Sequence, residues 1–415
     1  MFGKYKCLFY SKNHYEQNKS CKVFIVSEFV DNTENSTGYY WSKIIGGLSE
    51  RFSNVHVVST KNSYDNIKVP SNLVTYIQIN SIEYNKKNLV SRLFGQACQT
   101  FFFSKAIIKN IQRGDVIFSG TNPTLLLIAI SILKSFKGFK WMILVHDVFP
   151  ENLVAGKLIK KKALFYRLLK RLFDRVYSSA DTLIAIGRDM YDLLSLKTKM
   201  QCKIECIPNW VDLADIITLK RNSKKLFFVL DENKIIFQFF GNLGRLQGIK
   251  NLLKAILLVK NRNASFVFIG SGSEVPLILD FIKNNPDKSI SHLSEIPFSR
   301  NNIVLSSCDV AIVSLAKGMK GLGVPSKAYF SLAADKPLLV IGDKASELSI
   351  LISEEPNVGW HCEPENPKKL AFLIDQICSA ADLNSRSSRR SIVGLKYNYK
   401  NAIEKYSKLI SDLIN

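Results

Sequence analysis

The run Ile235 to Phe240 is apolar and of strand length, and Gly241, Gly244 and Gly248 interrupt it before Leu252, Leu253, Ile256 and Leu257 set a helical period. A strand that breaks on glycines and restarts as a helix directs the chain toward βα units and parallel sheets. Backbone N–H groups at such a helix start, with the positive end of the helix dipole, bind phosphate, so this loop is a candidate cradle for a nucleotide diphosphate. Glycines that serve only tight packing are the other reading.

The stretch Gly321 to Asp343 has the same construction. Pro325, Ser326 and Lys327 stand where a helix begins, Ala328 to Ala334 continue it, and Leu338 to Ile341 form the next strand. A cation at a helix N-terminus opposes the dipole, so Lys327 either shares its site with an anionic ligand or is a solvated lysine.

Strand-like and helical segments alternate along nearly the whole chain. Strands are expected at Lys22–Ser27, Val55–Ser59, Val116–Ser119, Trp141–Val145 and Thr182–Ile186, then at Ile235–Phe240, Ser265–Ile269, Val310–Val313, Leu338–Ile341 and Val358–His361. A chain of 415 residues exceeds what one core usually supports. The expected fold class is α/β, with two doubly wound Rossmann-like domains facing a central cleft at the carboxyl ends of both sheets. The boundary is expected near residue 212, after IPNWVD (Ile207 to Asp212) and before the lysine-rich Lys220 to Lys225. Residues 1–212 then form the first domain, 213–395 the second, and 396–415 a terminal helix that could pack back on the first.

A net charge of +22, from 57 Lys and Arg against 35 Asp and Glu, implies an anionic partner. Nucleic-acid signatures are lacking, so no nucleic-acid partner is expected. In Lys160 to Val176 a helical projection puts Lys160, Arg167, Lys170, Arg171 and Arg175 on one face and Phe165, Leu168, Leu169, Leu172, Phe173 and Val176 on the other. This is either a surface helix with its apolar side on the core or a docking surface for an anionic membrane. No stretch approaches the roughly 20 apolar residues that span a bilayer. The closest, Thr124 to Leu133, reads as a buried helix with Asn122 as cap and Pro123 in its first turn. The polar N-terminus carries no secretory leader, so a cytoplasmic location is expected. The eight cysteines, at 7, 21, 98, 202, 206, 308, 362 and 378, lack the spacing of a zinc site or a disulfide scaffold.

Taken in order, STGYYWSKIIGGL, TNPTLL, ILVHDVFPENLVAG, ADTLIAIGRDM, IPNWVD, GNLGRLQG, FVFIGSGSE, CDVAIVSL and VPSKAYFSLAADKPLLV resemble glycosyltransferase family 4 over nearly the full length. These are retaining, metal-independent transferases with the GT-B fold, and the resemblance is closest to the bacterial O-antigen and capsule branch that includes N-acetylfucosamine transferases. It implies that the second domain holds a nucleotide-diphosphate sugar, with Gly241, Asn242, Gly244, Arg245, Gln247, Glu274, Gly323, Ser326 and Lys327 in the donor site and Gly38 approaching from the first domain. It implies catalytic roles for His146, at the donor sugar, and Asp147, which orients His146 or lies near the acceptor. A structural histidine and a turn-capping aspartate are the alternatives, and Gly38 serves equally well in capping the next helix. No metal or other cofactor is expected.

Three departures matter. Asn242 and Gln247 stand where typical members carry the Arg and Lys that bond the diphosphate, leaving Arg245, Lys327 and the N–H groups of Leu243 and Gly244 as replacements. Leu322 and Phe330 replace the two glutamates for donor sugar and ribose, so ribose contacts would fall to Ser326, Ser331 or Glu274 and sugar contacts to N–H groups around Lys320 to Gly323. Asp335 replaces a glycine, and Asp tolerates the left-handed conformation better than most residues. The resemblance therefore implies transfer of a UDP-linked sugar to an undecaprenyl-diphosphate-linked saccharide by an enzyme peripheral to the inner face of the plasma membrane. The alternatives are a non-catalytic GT-B scaffold that binds nucleotide sugar and, third, a nucleotide-sugar epimerase.

Overall fold

The computed structural model describes residues 21–31, 35–60, 73–80, 89–218, 234–294, 296, 301–380 and 388–415. Cys7 and the segment Lys220 to Lys225 lie outside them. The strands are β1 (Val23–Val26), β2 (Val55–Thr60), β3 (Val74–Ile79), β4 (Val116–Ser119), β5 (Lys140–Val145), β6 (Thr182–Ala185) and β7 (Lys203–Cys206), then β8 (Ile235–Phe240), β9 (Ala264–Ile269), β10 (Ile290–Leu293), β11 (Val310–Ser314), β12 (Leu338–Ile341) and β13 (Gly359–Cys362).

They form two parallel sheets, ordered β3-β2-β1-β4-β5-β6-β7 and β10-β9-β8-β11-β12-β13. β1, β4, β6, β11 and β12 are buried at every position, which is why they read as runs rich in Val, Ile, Leu and Phe. The strands missing from the sequence reading, β3, β7 and β10, are all sheet edges with half-exposed residues, where burial no longer demands an apolar run. Strand order reverses between β1 and β4 and between β8 and β11, and loops diverging there open a crevice at the carboxyl ends of the strands.

The helix expected to be buried at Thr124 to Leu133 is only partly so. The helix Thr124–Lys137 buries Leu126, Leu127 and Ile130 but exposes Ile132 and Phe136, because it covers one face of the sheet. Pro123 occupies its N-cap with no side-chain bond, and Asn122 instead donates to Glu28 Oε2 at 2.6 Å.

The halves meet through main-chain and side-chain bonds. The Val148 N–H donates to the Leu322 carbonyl at 3.0 Å and Asn209 Nδ2 to the Val324 carbonyl at 3.0 Å. Arg188 donates through Nε and a terminal nitrogen to both oxygens of buried Glu347. One buried cluster runs from Tyr39, Tyr40 and Trp210 into Leu322, Val324 and Phe330. The last helix, Tyr399–Ile414, returns to the first sheet. There Trp210 Nε1 donates to the Tyr406 hydroxyl at 3.2 Å, and Ile403 fills the space that a side chain at Gly47 would need.

Candidate active site

The floor of the second half's crevice is a pair of interlocked glycine turns. Gly241 ends β8 at φ +111°, and Gly270 and Gly272 end β9 at φ +133° and +155°. A Cβ on Gly270 would lie 2.1 Å from the Gly241 carbonyl oxygen, and one on Gly272 would lie 2.3 Å from that of Leu243. Only glycine permits this approach. Gly270 and Gly272 were not singled out from sequence, although the GSG after an apolar strand is the same signal that marked Gly241. The Leu243 N–H donates to Ser271 at 2.8 Å, so it is engaged within the protein, whereas the Gly244 N–H meets no acceptor among the described residues.

Lys327 reaches beneath this loop. It begins the helix Lys327–Ala333, and Ser326, at the N-cap, makes no side-chain cap. The ammonium lies 3.8 Å from where a Cβ on Gly241 would stand and 3.7 Å from the Phe239 ring centroid. It is buried with no hydrogen-bond partner, and burial lowers its pKa to about 7. It is therefore not a solvated lysine. Gln247 Oε1 is buried without a partner as well, and Asn242 is exposed beside Gly244. An unpaired buried ammonium is costly, and an anion is the partner its charge lacks.

Across the crevice, His146 and Asp147 follow β5. His146 Nε2 is buried without a partner, and burial lowers the ring pKa to about 4, so the imidazole is neutral. Asp147 opens to the crevice water, yet protein surrounds it closely enough to push its carboxyl up to about 6. No hydrogen bond joins the Asp147 carboxylate to the His146 ring among the described residues. Gly323 faces this pair: its Cβ would lie 3.3 Å from Asp147 Oδ1. Gly38 lies at the start of helix Ser36–Ser49, where its N–H donates to Asn35 Oδ1 at 2.9 Å, and a side chain there would strike the Asp31 carbonyl.

Arg245 and Glu274 line a cavity of about 600 Å³ between the halves whose lining does not include Lys327. Leu322 and Phe330 are 5% and 7% exposed, and Phe330 packs on Tyr39 and Tyr40 with ring centroids 5.1 and 6.4 Å away. Ser331 is buried too, and the N–H groups of Lys320, Gly321 and Leu322 are engaged by Asp343, Asp189 and Met319. Asp335 adopts φ +62°, and its carboxylate accepts from the N–H groups of Arg389 and Arg390 at the next helix start.

The amphipathic helix spans Leu164–Ser178, so Lys160 precedes it rather than lying on its face. Phe173 and Val176 are buried, but Phe165, Leu168 and Leu172 are 63%, 54% and 39% exposed. Arg167, Arg171 and Arg175 are exposed, whereas Lys170 pairs with Asp174 and Glu151. No group of His, Cys, Asp or Glu able to hold a metal occurs among the described residues.

Two doubly wound parallel sheets facing a crevice, with the second half's glycine turns and lysine at the switch point, make up the GT-B fold. Residues 39–215 match the family described as Glycosyltransferase Family 4 and residues 220–392 the one described as Glycosyl transferases group 1. The chain is 42% identical over 396 residues to the probable glycosyltransferase WbjE of Pseudomonas aeruginosa, covering 95% of this chain and 98% of that protein. It belongs to glycosyltransferase family 4 and is a glycosyltransferase. Solved structures of similar fold include Anabaena HepE in complex with UDP-glucose (TM-score 0.66, 14% identity, 95% of this chain and 100% of that one). Another is WaaG, a glycosyltransferase involved in lipopolysaccharide biosynthesis (TM-score 0.68, 13% identity, 94% and 99%).

Proposed function

We propose that this glycosyltransferase moves a sugar from a UDP-linked donor, with retention and without a metal, to an undecaprenyl-diphosphate-linked saccharide in O-antigen or capsule assembly. The observation that carries the donor assignment is the buried, unpartnered Lys327 ammonium beneath Gly241 at an uncapped helix start. Such a group gains most when diphosphate charge develops beside it, and backbone N–H groups already held in place add to that stabilisation as the leaving group departs. Gln247 and Asn242 supply neutral bonds where typical members place cations. The neutral His146 ring faces the donor sugar, and Asp147 lies on the acceptor side. In this reading residues 213–395 hold the donor, while residues 1–212 with 396–415 present the acceptor.

The UDP preference draws on HepE, whose structure holds UDP-glucose, and the lipid-linked acceptor on WaaG and its role in lipopolysaccharide biosynthesis. The exposed Phe165, Leu168 and Leu172 between Arg167, Arg171 and Arg175 fit docking to an anionic membrane on the cytoplasmic side. A second reading, a scaffold that binds nucleotide sugar without turnover, is favoured by the burial of Leu322 and Phe330 where carboxylates would serve. The test is nucleotide release from UDP-, GDP- and dTDP-sugars with membrane lipid extract, in the native enzyme and in Lys327→Met. Extract-dependent release with one donor, lost in the variant, supports the transferase. Binding without release supports the scaffold.

A further inference from the structure

The lining of the cavity of about 600 Å³ between the halves does not include Lys327, and it is strongly basic. Lys157 comes from the first half, and Arg245, Lys250, Lys254 and Lys317 from the second. Lys317 pairs with Glu365 at 3.2 Å, so four cations face the cavity against the single carboxylate of Glu274. The helix Ile249–Leu258 starts in this wall from Gly248 at φ +62°, without a side-chain cap, so its first N–H groups add the positive end of a dipole. Asn251 lines the cavity, and its Nδ2 is buried with no partner. Clustered exposed cations, an uncapped helix start and an unmatched amide donor call for a ligand rich in acceptor oxygens and carrying more than one negative charge.

The cavity's other wall identifies the source. Ala155, Gly156 and Lys157 form it, and seven positions on from Lys157 begins the amphipathic helix Leu164–Ser178 with its exposed apolar residues. Leu158, next to Lys157, is exposed too. Gly156 meets the second half closely, since a Cβ there would lie 3.3 Å from Leu246 Cδ2, so this wall and the cation-bearing one are held together. An anion bound here sits between the membrane-docking surface and the crevice. We infer that the cavity is a second diphosphate site, which takes the diphosphate of the lipid-linked acceptor and thereby holds its saccharide toward the crevice. This inference rests on the acceptor class proposed above.

The test uses the full-length enzyme and a Lys250→Gln, Lys254→Gln double variant, neither residue having a part in the Lys327 site. Calorimetry with farnesyl diphosphate, in the presence of saturating UDP, should show binding to the native enzyme and a loss of about tenfold or more in the variant. Displacement of farnesyl diphosphate by UDP would overturn the inference, because the cavity would then belong to the donor. Turnover supplies the second arm. The variant should raise KM for a farnesyl-diphosphate-linked saccharide about tenfold, leave donor KM unchanged, and equal the native enzyme on the same saccharide carried by an octyl glycoside. An equal rise with both acceptors overturns the inference. No farnesyl diphosphate binding alongside normal sugar transfer would overturn it too while leaving the transferase reading intact, whereas no release from any donor would overturn that reading instead.

Discussion

The Lys327 ammonium lies 3.7 Å from the centroid of the Phe239 ring, so the end of β8 and the start of the helix Lys327–Ala333 share a buried cation that no protein acceptor satisfies. The ring face offers it some attraction, but far less than an anion would.

This pairing gives ligand binding a proton signature. With a pKa of about 7 in the folded chain against 10.5 for an ordinary lysine, the unfolded state binds the extra proton between those values. Stability of the ligand-free enzyme therefore rises as pH goes from about 7 toward 10.5. A bound diphosphate favours the charged form, so UDP binding at pH 8.5 should take up close to one proton. Calorimetry in two buffers of different ionisation enthalpy measures this, and Lys327→Met should take up none and bind UDP at least about tenfold more weakly.

Asp147 should show itself in the pH profile. Its carboxyl is raised to about 6 by the protein around it, so kcat/KM should climb through pH 6 to a plateau above it if the carboxylate is the working form. His146, lowered to about 4, should add no inflection above pH 5. The folded chain holds the Asp147 proton to higher pH than the unfolded chain, so this group's contribution to stability declines from pH 3.8 to about 6. Thermal melts of Asp147→Asn across that interval should lack this decline.

Phe330 is a test of the departure from the family pattern. Phe330→Glu restores a carboxylate but sets it among Tyr39 and Tyr40 at the meeting of the halves. An unpaired buried charge plus lost aromatic packing costs about 3–5 kcal/mol. Scanning calorimetry should show the midpoint falling by about 5 °C or more, with Phe330→Leu falling less. No change in the Glu variant would mean that the cluster is not closed in solution.

For the helix Leu164–Ser178, proposed above to dock on a membrane, the expected outcome is of the opposite kind. Replacing Phe165, Leu168 and Leu172 with serine removes side chains that are already exposed, so the melting temperature should stay within about 1 °C. Partition onto phosphatidylglycerol vesicles should fall about 100-fold, at about 1 kcal/mol for each partly inserted side chain. Replacing Arg167, Arg171 and Arg175 with glutamine should instead weaken binding mainly at low salt.

The buried strands were legible because a strand covered on both faces is largely apolar, as in β4, β8 and β12, whose limits are those expected from sequence even though Ser119 and Gln238 interrupt the first two. Edge strands were not, since β3, β7 and β10 need satisfy only one neighbour and are half-exposed. Glycine placement pointed to Gly241, and helix polarity to Lys327, and the chain brings the two together. What sequence could not supply was direction. Arg245 lies two residues from Leu243 yet lines a cavity whose wall does not include Lys327, and Leu243 gives its N–H to Ser271, because neighbouring positions in a tight turn face different sides. The amphipathic pattern of Leu164–Ser178 likewise did not say which apolar residues the core would leave uncovered.

The terminal helix Tyr399–Ile414 has a consequence for biosynthesis. The chain passes from the first half to the second near Val211 and returns beside the same point, where Val211 pairs with Asn398. Trp210 and the surface at Gly47 cannot close until Ile403 and Tyr406 have been made. The first half, translated early, therefore waits on the ribosome with an uncovered flank while the whole second half is synthesised. A nascent chain stalled just after residue 395 should be more accessible to chaperones and proteases than one that has released its last turn.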